Sequence, residues 1–464
     1  MAKLTFWGAN KTVTGSRFHL ELDSHSFLVD CGLFQGPKAH RLKNWDPFPV
    51  PPKSVDRLFL THAHIDHSGY IPRFCRDGFQ GQIHSTKATA DLCEIMLRDS
   101  AHLQEEDAYW ANKKGYSKHK PALPLYTKDD AENALSQFAP LYYGENLYID
   151  EYIRVKFRDA GHILGSSFVD IKATRGDRRR KILFTGDFGR PDRPLLQDPV
   201  QVFDIDYLVI ESTYGNRLHE QTSPYEELAR VINETYKKHG ALIIPSFAVG
   251  RTQTLLYVIR MLEEAGEIPE LPVFLDSPMA IDATDIFRKH IAELNLSARL
   301  ETRRGVKLFH PRHLRITPSR DESKAINKQN GPVIIISASG MATGGRILHH
   351  LEYRMNDEKN TILFIGYQAE GTRGRHLLEG AETIKIHGKK IPVRAGIENI
   401  FGFSGHADYQ EINAWLMGFN RPPEEVFIVH GEGEASEAFA QNIRDQFGWN
   451  VTVPDYGDQV ELDL

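Results

Sequence analysis

The segment Thr61-His62-Ala63-His64-Ile65-Asp66-His67 places four side chains able to bind metal within six residues. It directly follows the apolar run Leu58-Phe59-Leu60. In an extended segment, residues two apart point the same way, so His62, His64 and Asp66 can converge. His67, where the chain is expected to turn into a helix, can reach a second nearby ion. Imidazole and carboxylate without thiolate suit a zinc-type centre that keeps a coordination position open for chemistry.

Three further places repeat one pattern, a small residue, then Gly, then a ligand: Ala160-Gly161-His162, Thr185-Gly186-Asp187 and Ser404-Gly405-His406. Gly permits a sharp turn that leaves the next side chain at a strand tip. Together these residues read as a dinuclear site. His62, His64 and His162 hold one ion, Asp66, His67 and His406 the other, and Asp187 bridges them. Paired ions activate water and clamp the oxygens of a displacement, so hydrolysis of a phosphate or acyl ester is expected. Asp30, ending Phe27-Leu28-Val29-Asp30, has two readings: it orients a ligand His, or it serves the turn before Gly32. Asp408, with Glu411 three residues on, reads as a helix N-cap.

Ser337-Ala338-Ser339-Gly340-Met341 follows Val333–Ile336 and precedes a helix expected near Thr343-Gly344-Gly345. A strand, a small-residue loop and a helix start offer backbone donors to an anion. Ser337, Ser339 and Gly340 are therefore candidate phosphate contacts, against the alternative of a plain turn. No G-x-x-x-x-G-K-[ST] motif is present. Arg178–Lys181 reads as a solvated hairpin and Lys113–Lys120, with Tyr116 and nearby Trp110, as a mobile loop able to touch a polyanion. On spacing alone, Glu211 and His376 would be surface residues.

The elements that must position these groups follow from periodicity. Short strands are expected at Leu4–Trp7, Arg17–Leu22, Phe27–Asp30 and Arg57–Leu60, then helices at Ser68–Arg76 and Ala88–Arg98. Strands return at Ile153–Arg158, Phe168–Ala173 and Lys181–Thr185. From about Asp206, apolar runs alternate with helices (Tyr225–Lys238, Thr252–Glu264), which indicates a parallel sheet. The sandwich-like beginning and end thus read as one domain interrupted by an α/β insert.

The chain has 464 residues, three cysteines and a net charge of −6. That length buries a large core without disulfides, so a metal site is expected to serve chemistry. Three cysteines without a C-x-x-C fit a reducing compartment, and the start of the chain shows no secretory pattern. A cytoplasmic protein without a membrane span is expected. The charge excludes a small, strongly basic nucleic-acid reader but allows a local basic groove.

These motifs resemble the metallo-β-lactamase superfamily, whose signature is H-x-H-x-D-H, and more narrowly its β-CASP group of nucleic-acid-processing nucleases. The resemblance covers essentially the whole chain. It rests on His62–His67, His162, Asp187, Glu211-Ser212-Thr213-Tyr214-Gly215, Pro245–Arg251, Ser337–Met341, His376 and Phe403–His406. It implies an α/β architecture: an αββα sandwich over 1–211 and 373–464, with a β-CASP domain carrying a mainly parallel sheet inserted at 212–372. Glu211, His376 and His406 match the three added signature positions. DNA-repair members have Val at the third position, so His406 points to the RNA-processing branch.

By the same resemblance the expected activity is hydrolysis of single-stranded RNA, endonucleolytic, with two Zn2+ per chain. Asp66 binds metal and steers the attacking water, while His376, oriented by Glu211, protonates the leaving oxygen and touches phosphate. Cleavage is expected between the domains. Single-stranded RNA is the partner and no membrane is involved, with a homodimer left open. The competing class is a small-molecule hydrolase of a thioester or cyclic phosphodiester. A non-catalytic scaffold would be expected to have lost ligands.

Overall fold

The computed structural model describes every residue except Met1, Tyr116, Gln221, Asn330 and Glu370. It divides into two compact units, one comprising Met1–Leu218 and His406–Leu464, the other His219–Gly405.

The first unit contains two sheets. The six-stranded sheet has the order Gln459–Leu462, Ala2–Phe6, Phe18–Leu22, His25–Val29, Arg57–Phe59, Gln82–His84. The seven-stranded sheet has the order Val451–Thr452, Glu425–Val429, Tyr207–Glu211, Arg178–Phe184, Ser167–Arg175, Ile153–Asp159, Leu147–Tyr148. Strand side chains alternate between faces, and here one set fills the space between the sheets. Leu4, Phe6, Leu20, Phe27 and Phe59 of the first share a core with Val155, Phe157, Ile171, Phe184, Val209 and Phe427 of the second. On the outer face, Leu208, Ile210 and Ile428 pack with Trp415, Leu416 and Phe439 of the helices Tyr409–Leu416 and Gly433–Phe447. A strand apolar on both faces, such as Tyr207–Glu211, is buried along its whole length. This is the expected αββα arrangement.

The helix expected at Ala88–Arg98 runs over Lys87–Lys114, from the Thr86 cap, which accepts from the Thr89 N–H, to the left-handed Gly115. Lys113 and Lys114 therefore sit in its last turn, where a cation is favourable, and not in a loop. Tyr116 lies outside the described residues. Within the basic run at Arg178–Lys181, Arg180 pairs with Asp206 at 2.7 Å and the exposed Arg178 with Asp463.

The second unit is built on a parallel sheet ordered Leu314–Ile316, Val273–Leu275, Val333–Ser337, Ala241–Pro245, Thr361–Ile365, Gly396–Ile400. A hairpin, Thr383–Ile386 with Lys389–Pro392, stands beside it in sequence. The insert was expected to end at residue 372, whereas this unit continues to Gly405. The reason is the pairing of Gly396–Ile400 with Thr361–Ile365, which keeps the intervening chain in the same body.

Candidate metal centre

Parallel strands carry their C-terminal ends to a common edge, which is where ligand-binding residues gather in such sheets. In the first sheet His25–Val29 and Arg57–Phe59 are parallel, so Asp30 and the His62–His67 segment arrive together. In the second, Tyr207–Glu211 runs parallel to both Arg178–Phe184 and Glu425–Val429, with Glu211 opposite Val429. Asp187, Glu211 and His430 therefore leave three adjacent strands at one edge. Gly186, at φ 51°, makes the turn to Asp187, and a Cβ there would lie 2.6 Å from the Thr61 Cβ. Gly161 likewise has φ 67° and little room for a side chain, its Cβ position being 2.7 Å from the Gln197 carbonyl.

The extended stretch ends at His64, which opens the short helix Ile65–Ser68. Asp66 thus lies on a helical turn and does not line up with His62 and His64. Among the described residues three ligand groups meet at this edge: His62, His64, His162 and Asp187; Asp66, His67 and His430; and Asp187 again with Glu211 and His406. His62 Nε2 lies 3.1 Å from His64 Nδ1, and His162 Nε2 lies 3.3 Å from the same atom. His67 Nε2 and His430 Nε2 are 3.2 Å apart, and Asp66 Oδ2 is 3.3 Å from His430 Nε2. Asp187 divides its oxygens between the first two groups. Its Oδ2 is 3.3 Å from His62 Nε2 and 3.4 Å from His162 Nε2, while Oδ1 is 3.1 Å from His67 Nε2 and 3.3 Å from His430 Nδ1.

Asp30 faces His67: its Oδ2 is 2.7 Å from His67 Nδ1, and the Thr61 N–H and hydroxyl donate to the same carboxylate at 2.8 and 2.9 Å. This geometry matches an orienting role. Asp408 caps its helix as its spacing implies, with Glu411 completing the box.

Electrostatics divide the histidines. Burial pushes His62 down to about 3, and it also lowers His64 and His162, favouring neutral imidazoles. Burial opposes charge on His67 too, but Asp187 and Asp30 outweigh it and raise this group well above its ordinary value. For His406, burial is outweighed by Glu211 and Asp187, which raise it to about 9.

The residues fit a metal. Imidazole nitrogens confront one another across short gaps, an arrangement that a cation between them relieves. Asp187 Oδ1 is buried with no hydrogen bond among the described residues. The ligand types are those of zinc-type centres that leave positions open.

Three sequence expectations change. His406 was paired with Asp66 and His67 as a ligand of the second ion. Its Nδ1 instead lies 2.9 Å from Glu211 Oε1, its Nε2 is 3.9 Å from Asp187 Oδ2, and His430 takes the place beside Asp66 and His67. Glu211 was expected to orient His376. Its carboxylate is committed to His406 and to the N–H groups of Phe188 and Thr213, at 2.6 and 3.1 Å. His376, in the other unit, is 57 % exposed, with Glu379 at 3.8 Å. Ser337, a candidate phosphate contact on sequence, has a buried hydroxyl that donates to the Asp276 carbonyl at 2.8 Å and is not available to phosphate. The adjoining helix begins at Ile347, and Ser339 Oγ accepts from the Thr343 N–H at 3.0 Å.

His430 escaped the sequence reading because its Gly follows it, in Val429-His430-Gly431. The signal was there: an apolar strand ending in His, with the left-handed φ of 50° that a strand-tip turn requires.

Family models match three stretches of the chain. The metallo-β-lactamase superfamily matches 20–228, the β-CASP domain 252–377, and the Zn-dependent metallo-hydrolase RNA specificity domain 390–454. The chain is 34 % identical to Ribonuclease TTHA0252 of Thermus thermophilus, over 98 % of its own length and 99 % of that protein. It is 33 % identical to an RNase J-like protein of Methanocaldococcus jannaschii, over 96 % of each chain. Identity to the transcription termination factor FttA of the same archaeon is 31 %, over 97 % of this chain and 70 % of that one. A solved structure of a protein of unknown function from Enterococcus faecalis shares the fold, with a TM-score of 0.57 at 13 % identity, covering 99 % of this chain and 100 % of that one.

Proposed function

The chain belongs to the β-CASP family of the metallo-β-lactamase superfamily, and on that premise we propose that it is a dinuclear zinc ribonuclease cutting single-stranded RNA. The observation that carries this reading is Asp187, whose two oxygens face two separate histidine groups. His62, His64, His162 and Asp187 would hold one ion, and Asp66, His67, His430 and Asp187 the other. Asp30 fixes the His67 ring by taking its Nδ1. When bound, the ions supply Lewis acidity to a water and to the phosphate oxygens.

The chain's own proton donor is His406. Glu211 accepts from His406 Nδ1 and stabilises the charged ring, so Nε2 carries the proton for the leaving oxygen. Glu211 is a positioning residue: buried, anchored by two backbone N–H groups, and able to reach substrate only through His406. Ser339 and Gly340 remain candidate backbone contacts for phosphate, with the Ser337 side chain excluded. Relatives named as ribonucleases, and the match to an RNA specificity domain, support RNA over a small-molecule ester. Endonucleolytic cutting and a cytoplasmic location belong to the same proposal.

The test is incubation of end-labelled single-stranded RNA with zinc-loaded protein, followed by mapping of product ends. Internal cuts that cease with chelator support the reading. Turnover of a thioester or cyclic nucleotide without RNA cleavage replaces it.

A further inference from the structure

The parallel-sheet unit carries its own group of metal-type ligands. His349 and Glu352 lie three residues apart on the helix Ile347–Arg354, so they share one face of it. His387 comes from the two-residue turn of the hairpin Thr383–Ile386 with Lys389–Pro392. Ligand atoms of all three lie within 4.8 Å of one another. The two imidazole rings are 4.6 Å apart between centroids, and His387 Nδ1 is 2.8 Å from Glu352 Oε2.

The turn places His387 deliberately. His387 and Gly388 have φ of 47° and 84°, the pattern of a tight hairpin turn that Asn-Gly fills most readily. A His here carries its ring to the helix at a position where smaller residues would serve the backbone as well or better. The scaffold is fixed beneath it: Ile384 and Ile386 of the hairpin pack in one core with Leu348 and Leu351 of the helix. Ligands on packed elements need little reorganisation to close on an ion.

We propose that His349, Glu352 and His387 form a binding site for a zinc-type divalent cation, separate from the metal centre of the sandwich. Two imidazoles and one carboxylate are a donor set of zinc sites with an open fourth position. His349 and Glu352 also line an open surface cleft with Asn327, Tyr353, Lys389 and Ile391, where water can complete the coordination. An anion is the poorer occupant, because Glu352 contributes a carboxylate to the group. Lys389 is the built-in competitor. Its Nζ holds Glu352 Oε1 at 2.8 Å, and at 71 % exposure it can leave for solvent when a cation arrives. The bound ion ties the hairpin to the helix that follows the Ser337–Met341 loop.

The test is zinc counting on the full chain by atomic spectrometry after equilibration with buffered free zinc. Wild type, His387→Ala, His349→Ala and Lys389→Ala are compared, with RNA cleavage measured alongside. Wild type is expected to hold one equivalent more than His387→Ala or His349→Ala, with cleavage by these variants within about twofold of wild type. Lys389→Ala is expected to fill the extra site at several-fold lower free zinc. It leaves all three ligands intact and so tests the site even where a histidine variant misfolds. Equal zinc content in wild type and His387→Ala at every free zinc level overturns the proposal, and so does weaker binding by Lys389→Ala.

Discussion

His406 Nδ1 sits 2.9 Å from Glu211 Oε1, and Glu211 is wholly buried between the ring and two backbone N–H groups. The carboxylate thus holds one imidazole in one orientation. Glu211→Gln keeps the size of the side chain and removes its charge. We expect kcat on RNA to fall by about 10- to 100-fold with KM little changed, the usual scale for losing a partner that orients a functional His. Zinc content should stay at the wild-type value. A variant that loses zinc instead would assign Glu211 to the metal.

His430 is expected to behave differently from His406. Its ring nitrogens face Asp66 at 3.3 Å and Asp187 at 3.3 Å, so His430→Ala removes a ligand of the second group. About one equivalent of zinc should be lost from the sandwich unit, together with cleavage. Because imidazole ligands must be deprotonated to bind, zinc should also leave wild type progressively in acid. Metal analysis of wild type and His430→Ala across pH checks this.

Asp276 gives a pH dependence away from the metal centre. It is fully buried, with Oδ2 2.6 Å from His350 Nε2 and Oδ1 2.8 Å from the Arg346 guanidinium. Burial alone would raise its carboxyl, but His350, Ser323 and Arg346 reverse that and hold it at about 2. A carboxylate depressed in the folded state contributes stability above its unfolded value near 4 and loses it as pH falls toward 2. The amount is about 2 kcal/mol for a shift of this size. Wild type should therefore exceed Asp276→Asn in unfolding free energy at pH 5, and the gap should narrow by pH 2.5. Chemical denaturation of both metal-free proteins reads the difference.

The substrate claim has a salt signature. Lys and Arg contacts to phosphates release counterions, so affinity for single-stranded RNA should fall log-linearly with salt, with a slope set by the number of contacts. Single-stranded RNA should be cut in preference to a duplex, because unpaired nucleotides can be splayed into a site. DNA of the same sequence should bind through the same charges and be cut poorly. Parallel cleavage of the three substrates checks the order, and equal rates on DNA and RNA would mark a general nuclease.

Much of this molecule was legible in local pattern. Apolar runs such as Tyr207–Glu211 and Val333–Ser337 could be placed in parallel sheets because helices follow them at regular intervals. The H-x-H-x-D-H cluster, Asp187 and His162 could be identified because Gly or a strand tip precedes each. What failed was non-local. No local feature says that Gly396–Ile400 pairs with Thr361–Ile365. The helix beyond Arg98 carries Glu105, Glu106 and Asp107 on a stretch with no buried side chain between Ala101 and Ala111, so its apolar stripe fades while the backbone continues. Local sequence also could not show that His406 stands beside Glu211, or that His430 stands beside Asp66 and His67.

The most direct measurement is single-turnover cleavage of a defined single-stranded RNA by zinc-loaded wild type, His406→Ala and His376→Ala, each with its zinc content verified. His406→Ala is expected to keep its zinc and lose about 10²–10⁴-fold in rate, the usual worth of a general acid. His376→Ala should cut within a few-fold of wild type. A full-rate His406→Ala, or a large loss confined to His376→Ala, would contradict His406 as the proton donor.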